Sequence, residues 1–447
     1  LLIKNYAELA TTPLRAHALG IAAAGIERVL PTRIMTSALA YDTARRTLTV
    51  NRRAYRHADG RLLVIGGGKA SGLMAEALEN IVGADGISGG IVNCKDGGYH
   101  TGVIEVVKAG HPVPDEAGLQ GTRRMLALKE RFRVEAVDLV VCLISGGGSA
   151  LLTAPVPGIS LADKQAVTSL LLACGAPIGE VNIVRKHLSL VKGGGLGRHF
   201  APARVVSLIL SDVIGNRLEV IASSPTYPDN STFADAVAVL RRYELWRRLP
   251  VAVADYLSRG ERGEAPETPT ELPNCSNHII GDNKLALRAM ADKAREYGYR
   301  PLIMTDSQEG DAGELAEQRA QEILAGEYSG CDALIIGGEA TMKLPPEPGK
   351  GGRNQHYAAV TLSALADYSG EWAAIAAGTD GTDFLPDAAG AIVDRATLNA
   401  LRNKGIDIDD YIRRCDSYNL FKQTGTSLLE TGGTGTNVCD VMVYLLK

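Results

Sequence analysis

The 447-residue chain is poor in aromatics, with Phe, Trp and Tyr at 5%, and it has no surplus of positive charge. Its 47 Lys and Arg face 51 Asp and Glu, for a net charge of −4. With little stacking surface and no basic field, neither nucleic acid nor an anionic membrane is an expected partner, although a local basic pocket is compatible with these totals. The seven cysteines, at 94, 142, 174, 275, 331, 415 and 439, form no CxxC pair. An odd number in a long chain argues against a disulfide framework and points to a reducing cytoplasm. Cys275-x-x-His278 has a metal-like spacing but no second pair to complete a zinc site, so it reads as chance. Residues 1–20 carry Lys4, Glu8, Arg15 and His17 and show no signal-peptide core. The first residue is not Met, which leaves room for residues ahead of Leu1. The uncharged run Leu139–Ala162 is long enough to span a bilayer, but Gly146, Gly147, Gly148, Pro155, Pro157 and Gly158 interrupt it. It reads as a buried strand followed by a loop.

Several familiar fingerprints are also missing. Lys69 has Leu63 where a Walker A loop needs glycine, and Ala70 follows it where magnesium needs a hydroxyl. Gly66-x-Gly68 runs on to Ser71 and Gly146-x-Gly148 to Leu151, so neither completes GxGxxG. Gly147-x-Ser149 also ends on Leu151, which breaks the GxSxG elbow, and HExxH does not occur. A P-loop NTPase, a standard NAD enzyme and an α/β hydrolase are thereby disfavoured.

Glycine is abundant, at 50 residues. Short apolar runs end in glycine and give way to helical stretches, the pattern of an α/β protein with parallel sheets. RLLVI (61–65), DLVVCLI (138–144) and RVVSLIL (204–210) read as buried strands. Further strands are expected at Pro301–Thr305, Ala333–Ile336, Trp372–Ala377 and Asn437–Leu446. Ser160 and Asp163 form a capping pair for a helix through Ala173, and a helix over Asn283–Tyr297 should stop at Gly298. The charged, Pro-rich residues 258–273 read as a linker or surface loop, dividing the chain into α/β domains at 1–257 and 274–447.

Loops at Gly66–Lys69 and Gly146–Ser149 follow strands and precede helices, a setting in which backbone N–H groups hold anions. Gly67, Gly68, Ser145, Gly146, Gly147, Gly148 and Ser149 are therefore candidate binding residues. Lys69, at a helix start, is electrostatically useful only if an anion is shared there. Asn182, Arg185 and Lys186 fall on one helical face as a second anion-binding candidate. Arg353, just past the flexible loop Gly349–Gly352, could clamp a phosphoryl group. Asp212 and Asp380 lie at the ends of predicted strands, where they could hold magnesium or accept a hydroxyl proton. His111, in the rigid HPVPD segment, is expected to be structural.

The segments IGGGKASGLMAEAL, KAGHPVPDEAG, LISGGGSALL, EVNIVRKHLSLVKGGGL and LILSDVIGN resemble the N-terminal part of the type-2 glycerate kinases. GEATMKLPPEPGKGGRNQHYAA, AAGTDGTD, DAAGAIVD and TGGTGTNVCD resemble their C-terminal MOFRL domain. The resemblance runs from about Ala22 to the C-terminus. It implies a larger Rossmann-like domain, a smaller α/β domain and an active site in the cleft between them. The implied reaction is phosphorylation of D-glycerate by ATP, with magnesium, at the 2-hydroxyl, with Lys69 and Arg353 as functionally important residues. A kinase on another small hydroxy acid, or the hydroxypyruvate reductase that some family members are labelled as, are the alternatives; a homodimer is left open. The sequence departs from the family where Phe384-Leu385 replaces the usual Gly-Pro, where Ser224 stands in the segment often written ASGPT, and at Lys192-Gly193-Gly194-Gly195-Leu196.

Overall fold

The computed structural model describes residues Leu1–Lys447. The chain forms two compact units, one of residues Ile34–Ile280 (the central unit) and one combining Leu1–Arg33 with Gly281–Lys447 (the terminal unit). No helix is long and apolar enough to cross a membrane.

The central unit opens with an antiparallel meander of β1 (Leu39–Asp42), β2 (Thr47–Val50) and β3 (Arg53–Arg56). Its main sheet contains β4 (Leu62–Gly67), β5 (Gly89–Cys94), β6 (Ile104–Lys108), β7 (Leu139–Ile144), β8 (Arg204–Leu210) and β9 (Cys275–Gly281), in the order β6-β5-β4-β7-β8-β9. β4 runs parallel to both β5 and β7, and β5–β6 and β7–β8 are also parallel. Every residue of β4 and β7 is buried, as a sheet covered on both faces requires. Leu63, Ile65, Val140, Val205 and Phe200 form part of the core beneath it. A second core joins the helices Leu161–Ala173, Ile178–His187, Phe233–Arg242 and Val251–Glu261. The first of these begins with the expected Ser160–Asp163 capping box.

The terminal unit contains β10 (Pro301–Asp311), β11 (Ala333–Thr341), β12 (Trp372–Gly378), β13 (Gly390–Asp394), β14 (Leu428–Leu429) and β15 (Asp440–Leu446), in the order β10-β11-β15-β12-β13-β14. β15 is antiparallel to both of its neighbours. The start of β15 therefore lies at the same sheet edge as the ends of β11 and β12. The helix Asn283–Glu296 is also as expected, with Gly298 at φ +86° just beyond it.

The domain boundaries differ from the sequence reading at both ends. The helix Pro13–Arg28 packs on the helix Asn283–Glu296, so the N-terminus belongs with the C-terminal half. Small residues allow the approach: a Cβ at Gly20 would lie 2.5 Å from the Tyr297 hydroxyl, and one at Gly25 2.5 Å from Met290 Cγ. Buried Arg15 locks the arrangement by pairing with Asp394 at 3.2 Å and donating to the Leu9 carbonyl at 2.7 Å and to the Thr426 carbonyl. At the other boundary, residues 258–273 are not a free linker. The helix Val251–Glu261 enters the segment, Glu267 accepts from the Phe233 N–H at 3.0 Å, and the Thr268 hydroxyl donates to Asp229 at 3.1 Å. Its polar groups are satisfied within the central unit, and the chain passes to the terminal unit only after β9.

Candidate active site

Parallel pairing brings the C-terminal ends of β5, β4, β7 and β8 to one edge of the central sheet, the edge at which open α/β sheets bind ligands. Gly67 ends β4 and Lys69 lies two residues beyond it; Ser145–Ser149 follows β7; Asp212 lies two residues past β8. The first two loops interlock. Gly68 N–H donates to the Asn93 carbonyl at 3.1 Å, Lys69 N–H to the Gly146 carbonyl at 2.8 Å, and Ala70 N–H to Ser145 Oγ at 2.9 Å. Gly68 sits at φ +156°, and a Cβ there would come within 2.6 Å of the Ser145 carbonyl oxygen. Gly147 sits at φ +79°, and its missing Cβ would lie 2.8 Å from the His111 ring and 3.2 Å from Lys69 Cγ. These glycines are dictated by close approach and backbone sign, beyond what a simple turn needs. His111, expected to be structural, thus lies with Lys69 beside the second loop.

The structure divides the expected face Asn182–Arg185–Lys186 into three environments. Asn182 accepts from the Ser223 hydroxyl at 3.1 Å, and the Ser223 and Ser149 hydroxyls are 2.8 Å apart. Lys186 is buried in an ion pair with Asp229 at 2.9 Å, so its charge is used internally. Arg185 remains beside the Ser149 loop. Ser224 has φ +61° and donates from its hydroxyl to the Tyr227 carbonyl at 2.8 Å.

In the terminal unit, Arg353 opens the helix Arg353–Ala364, as expected, and it is paired with two carboxylates. Its Nε is 2.7 Å from Asp440 Oδ2 and its Nη1 is 3.0 Å from Glu339 Oε1. Although burial works against the guanidinium charge, Asp440 and Glu339 hold its pKa above the ordinary arginine range. Burial pushes the Asp440 carboxyl up to about 7, against the pull of Arg353 and the Asn354 amide. Asp383 caps the same helix by accepting from the N–H groups of Asn354 at 3.0 Å and Gln355 at 2.8 Å. Burial nevertheless raises the Asp383 pKa. Asp380 follows β12 and accepts from the Thr382 N–H and hydroxyl, each at 3.0 Å. A Cβ on Gly378 would lie 3.4 Å from Asp380 Oδ1 and 3.6 Å from Asp440 Oδ1, so the two carboxylates flank one glycine.

Asp440, Glu339, Asp383 and Asn354 were not among the expected site residues. Their signal was present in the segments TNVCD, GGEAT, GTD and GGRNQ, but only strand order reveals that these converge. His278, the partner of Cys275 in the metal-like spacing, is 2.5 Å from the Tyr55 hydroxyl.

Residues 17–258 match the family model of a domain of unknown function (DUF4147), and residues 332–440 match the MOFRL family. Over 394 residues the chain is 42% identical to a glycerate 2-kinase of Pyrococcus horikoshii, covering 87% of this chain and 88% of that protein. The chain belongs to the glycerate 2-kinase family. It is 40% identical to an Agrobacterium vitis protein that carries hydroxypyruvate reductase as an unconfirmed name, with 87% of each chain covered. The crystal structure of a glycerate kinase from Thermotoga maritima matches with a TM-score of 0.84 at 37% identity, covering 96% of this chain and 99% of that one.

Proposed function

We propose that the protein transfers the γ-phosphoryl group of ATP to the 2-hydroxyl of D-glycerate, giving 2-phospho-D-glycerate and ADP. The observation that carries this reading is a lysine-bearing glycine loop, interlocked with a second glycine loop at a ligand-binding sheet edge, in a chain similar to glycerate 2-kinases over most of its length. Phosphoryl transfer asks for positioning and charge neutralisation more than covalent chemistry. Lys69 neutralises the γ-phosphate as charge develops, and backbone N–H groups of Ser145–Ser149 hold an anionic group. Arg353, aimed by Asp440 and Glu339, clamps the transferring group. Asp212 or Asp380 accepts the hydroxyl proton or holds magnesium. Magnesium usually takes one or two carboxylates and completes its shell with phosphates and water. Asp380, with Oδ1 engaged by Thr382, fits such a sparse ligand set, and the ion would neutralise phosphate charge there. We place the protein in a reducing cytoplasm, a reading supported by its odd number of cysteines in a long chain.

The test is incubation with D-glycerate, ATP and magnesium, with the product coupled to enolase in the absence of phosphoglycerate mutase. Enolase accepts the 2-phosphate and not the 3-isomer. We expect a signal that falls by about 10²–10³ in Lys69→Ala and in Arg353→Ala. ADP formation without an enolase signal would reject the regiochemistry. The Agrobacterium relative's name favours one rival, hydride transfer to hydroxypyruvate; it requires NADH oxidation, which we expect to be absent given the lack of GxGxxG.

A further inference from the structure

Wholly within the central unit, beside Gly147, lies a cavity of about 280 Å³. Lys164, Arg185 and Lys192 line it together with His111, Ser149 and Gln165, and no carboxylate is among the lining residues. Lys164 is 5% exposed, and its Nζ has no hydrogen-bond partner within the protein. Lys192 is 1% exposed and donates only to the carbonyls of Ser149 at 2.6 Å and Leu152 at 3.2 Å. Neither lysine forms an ion pair, and nor does Arg185; the neighbouring Lys186 shows the alternative, a buried lysine given its own aspartate. Three basic side chains gathered around one cavity without a counter-charge can all be charged only at a cost. An anion that enters the void turns that penalty into binding.

We propose that this cavity is the carboxylate subsite for the small hydroxy-acid substrate, with Lys164, Arg185 and Lys192 as its binding residues. The identity of the acid rests on the kinase reading above. The size fits: pockets for drug-sized ligands run to roughly 300–1,000 Å³, so this one suits a three-carbon acid better than a nucleotide. Its position fits too, because Ser149 and Gly147 join the cavity to the loop that carries Lys69. Burial, assisted by the charge of Arg185, pushes Lys164 down to about 7. Burial and the charges of Lys164 and Arg185 push Lys192 well below the ordinary lysine range. The charge-bearing groups around Lys164 are Arg185 from the helix Ile178–His187, Lys192 from the following loop and His111 from the HPVPD segment. A bound carboxylate therefore favours proton uptake.

The experiment compares the intact protein with Lys164→Met and Arg185→Gln. Steady-state kinetics should show KM for D-glycerate rising by about 10–100-fold in each variant, as expected for loss of a charged hydrogen bond, with KM for ATP nearly constant. Calorimetric titration of D-glycerate near pH 8, in buffers of different ionisation enthalpy, should show proton uptake by the unmodified protein and less by Lys164→Met. Glyceramide, the neutral analogue, should bind weakly to the unmodified protein and equally weakly to Lys164→Met. A rise in KM for ATP alone would overturn the proposal in favour of a nucleotide phosphate site. Unchanged constants for both substrates would overturn it outright. Should the protein fail to phosphorylate glycerate yet bind a small hydroxy acid in a Lys164-dependent way, the subsite would stand and the kinase reading would fall.

Discussion

Lys164 and Lys186 are the same residue type, both buried, with opposite provisions: one faces a cavity lined by other basic groups and the other an aspartate. Burial pushes the Lys164 ammonium from the ordinary lysine value down to about 7, so the folded protein resists its charge. The stability it allows is complete above the unfolded value and is lost as pH falls toward 7. Lys164→Met should therefore stabilise the protein most at and below neutral pH, by up to roughly 3–5 kcal/mol on the basis of the shift, and least above about pH 10. Urea denaturation across that range, in buffer without small carboxylates or phosphate, measures it. Phe384 is a second residue at odds with its setting. It has φ +66° and is 87% exposed. Left-handed backbone disfavours a side chain by about 1–2 kcal/mol, and little is buried in return. Phe384→Gly should raise stability by about 1 kcal/mol, seen as a higher Tm with unchanged kinetics. Phe384 was visible in the sequence as a departure, but the contrast between the two lysines was not. A lysine reads the same whether it meets water, an aspartate or a void, and the burial of Lys164 depends on helices that pack across the chain.

Secondary-structure elements were more legible. β7, β8, β12 and the capped helix Leu161–Ala173 were apparent because continuous apolar runs and a Ser–Asp cap encode them locally. β5 and β13 were missed, since GGIVNC and GAIVD carry glycines that mimic loops, and β6 was missed because IEVVK is a short run with charges at its second and last positions. The loops at the candidate site were found by composition, but their interlocking was not, because it depends on β4 and β7 being neighbours. That interlocking sets a prediction for Gly68. With φ +156° and the Ser145 carbonyl 2.6 Å from a would-be Cβ, Gly68→Ala must push the two loops apart. We expect at least a ~10²-fold loss of activity, since small misplacements are costly at reacting centres, with far-UV circular dichroism little changed. Retained activity would show that the two loops need not interlock. Asp383 and Gly352 belong to the same lesson: a Cβ on Gly352 would strike the carboxyl that caps the helix of Arg353. The glycines that looked like flexible tether are spacers for a fixed arginine.

At the scale of the whole molecule, the sequence suggested two consecutive domains, and the structure joins the chain's two ends instead. The reading failed because the helix Pro13–Arg28 declares its amphipathic partner nowhere nearby; that partner begins at Asn283. Arg15 is the test. Removing one member of a buried pair typically costs about 3–5 kcal/mol. Arg15→Ala should lower the unfolding free energy by that order, and hydrogen exchange should rise in residues 281–447 before it rises in 34–280. An exchange increase confined to residues 34–280 would contradict the assignment of the N-terminus. The same closure also sets an order of events on the ribosome. The first 33 residues emerge earliest, yet the strands they pack against are made last, after the central unit is already complete. At about 5–20 residues per second, the helix bearing Leu14, Leu19 and Ile26 waits roughly 20–80 s for the rest of its own unit. During that interval it is the segment of the nascent chain most in need of a chaperone.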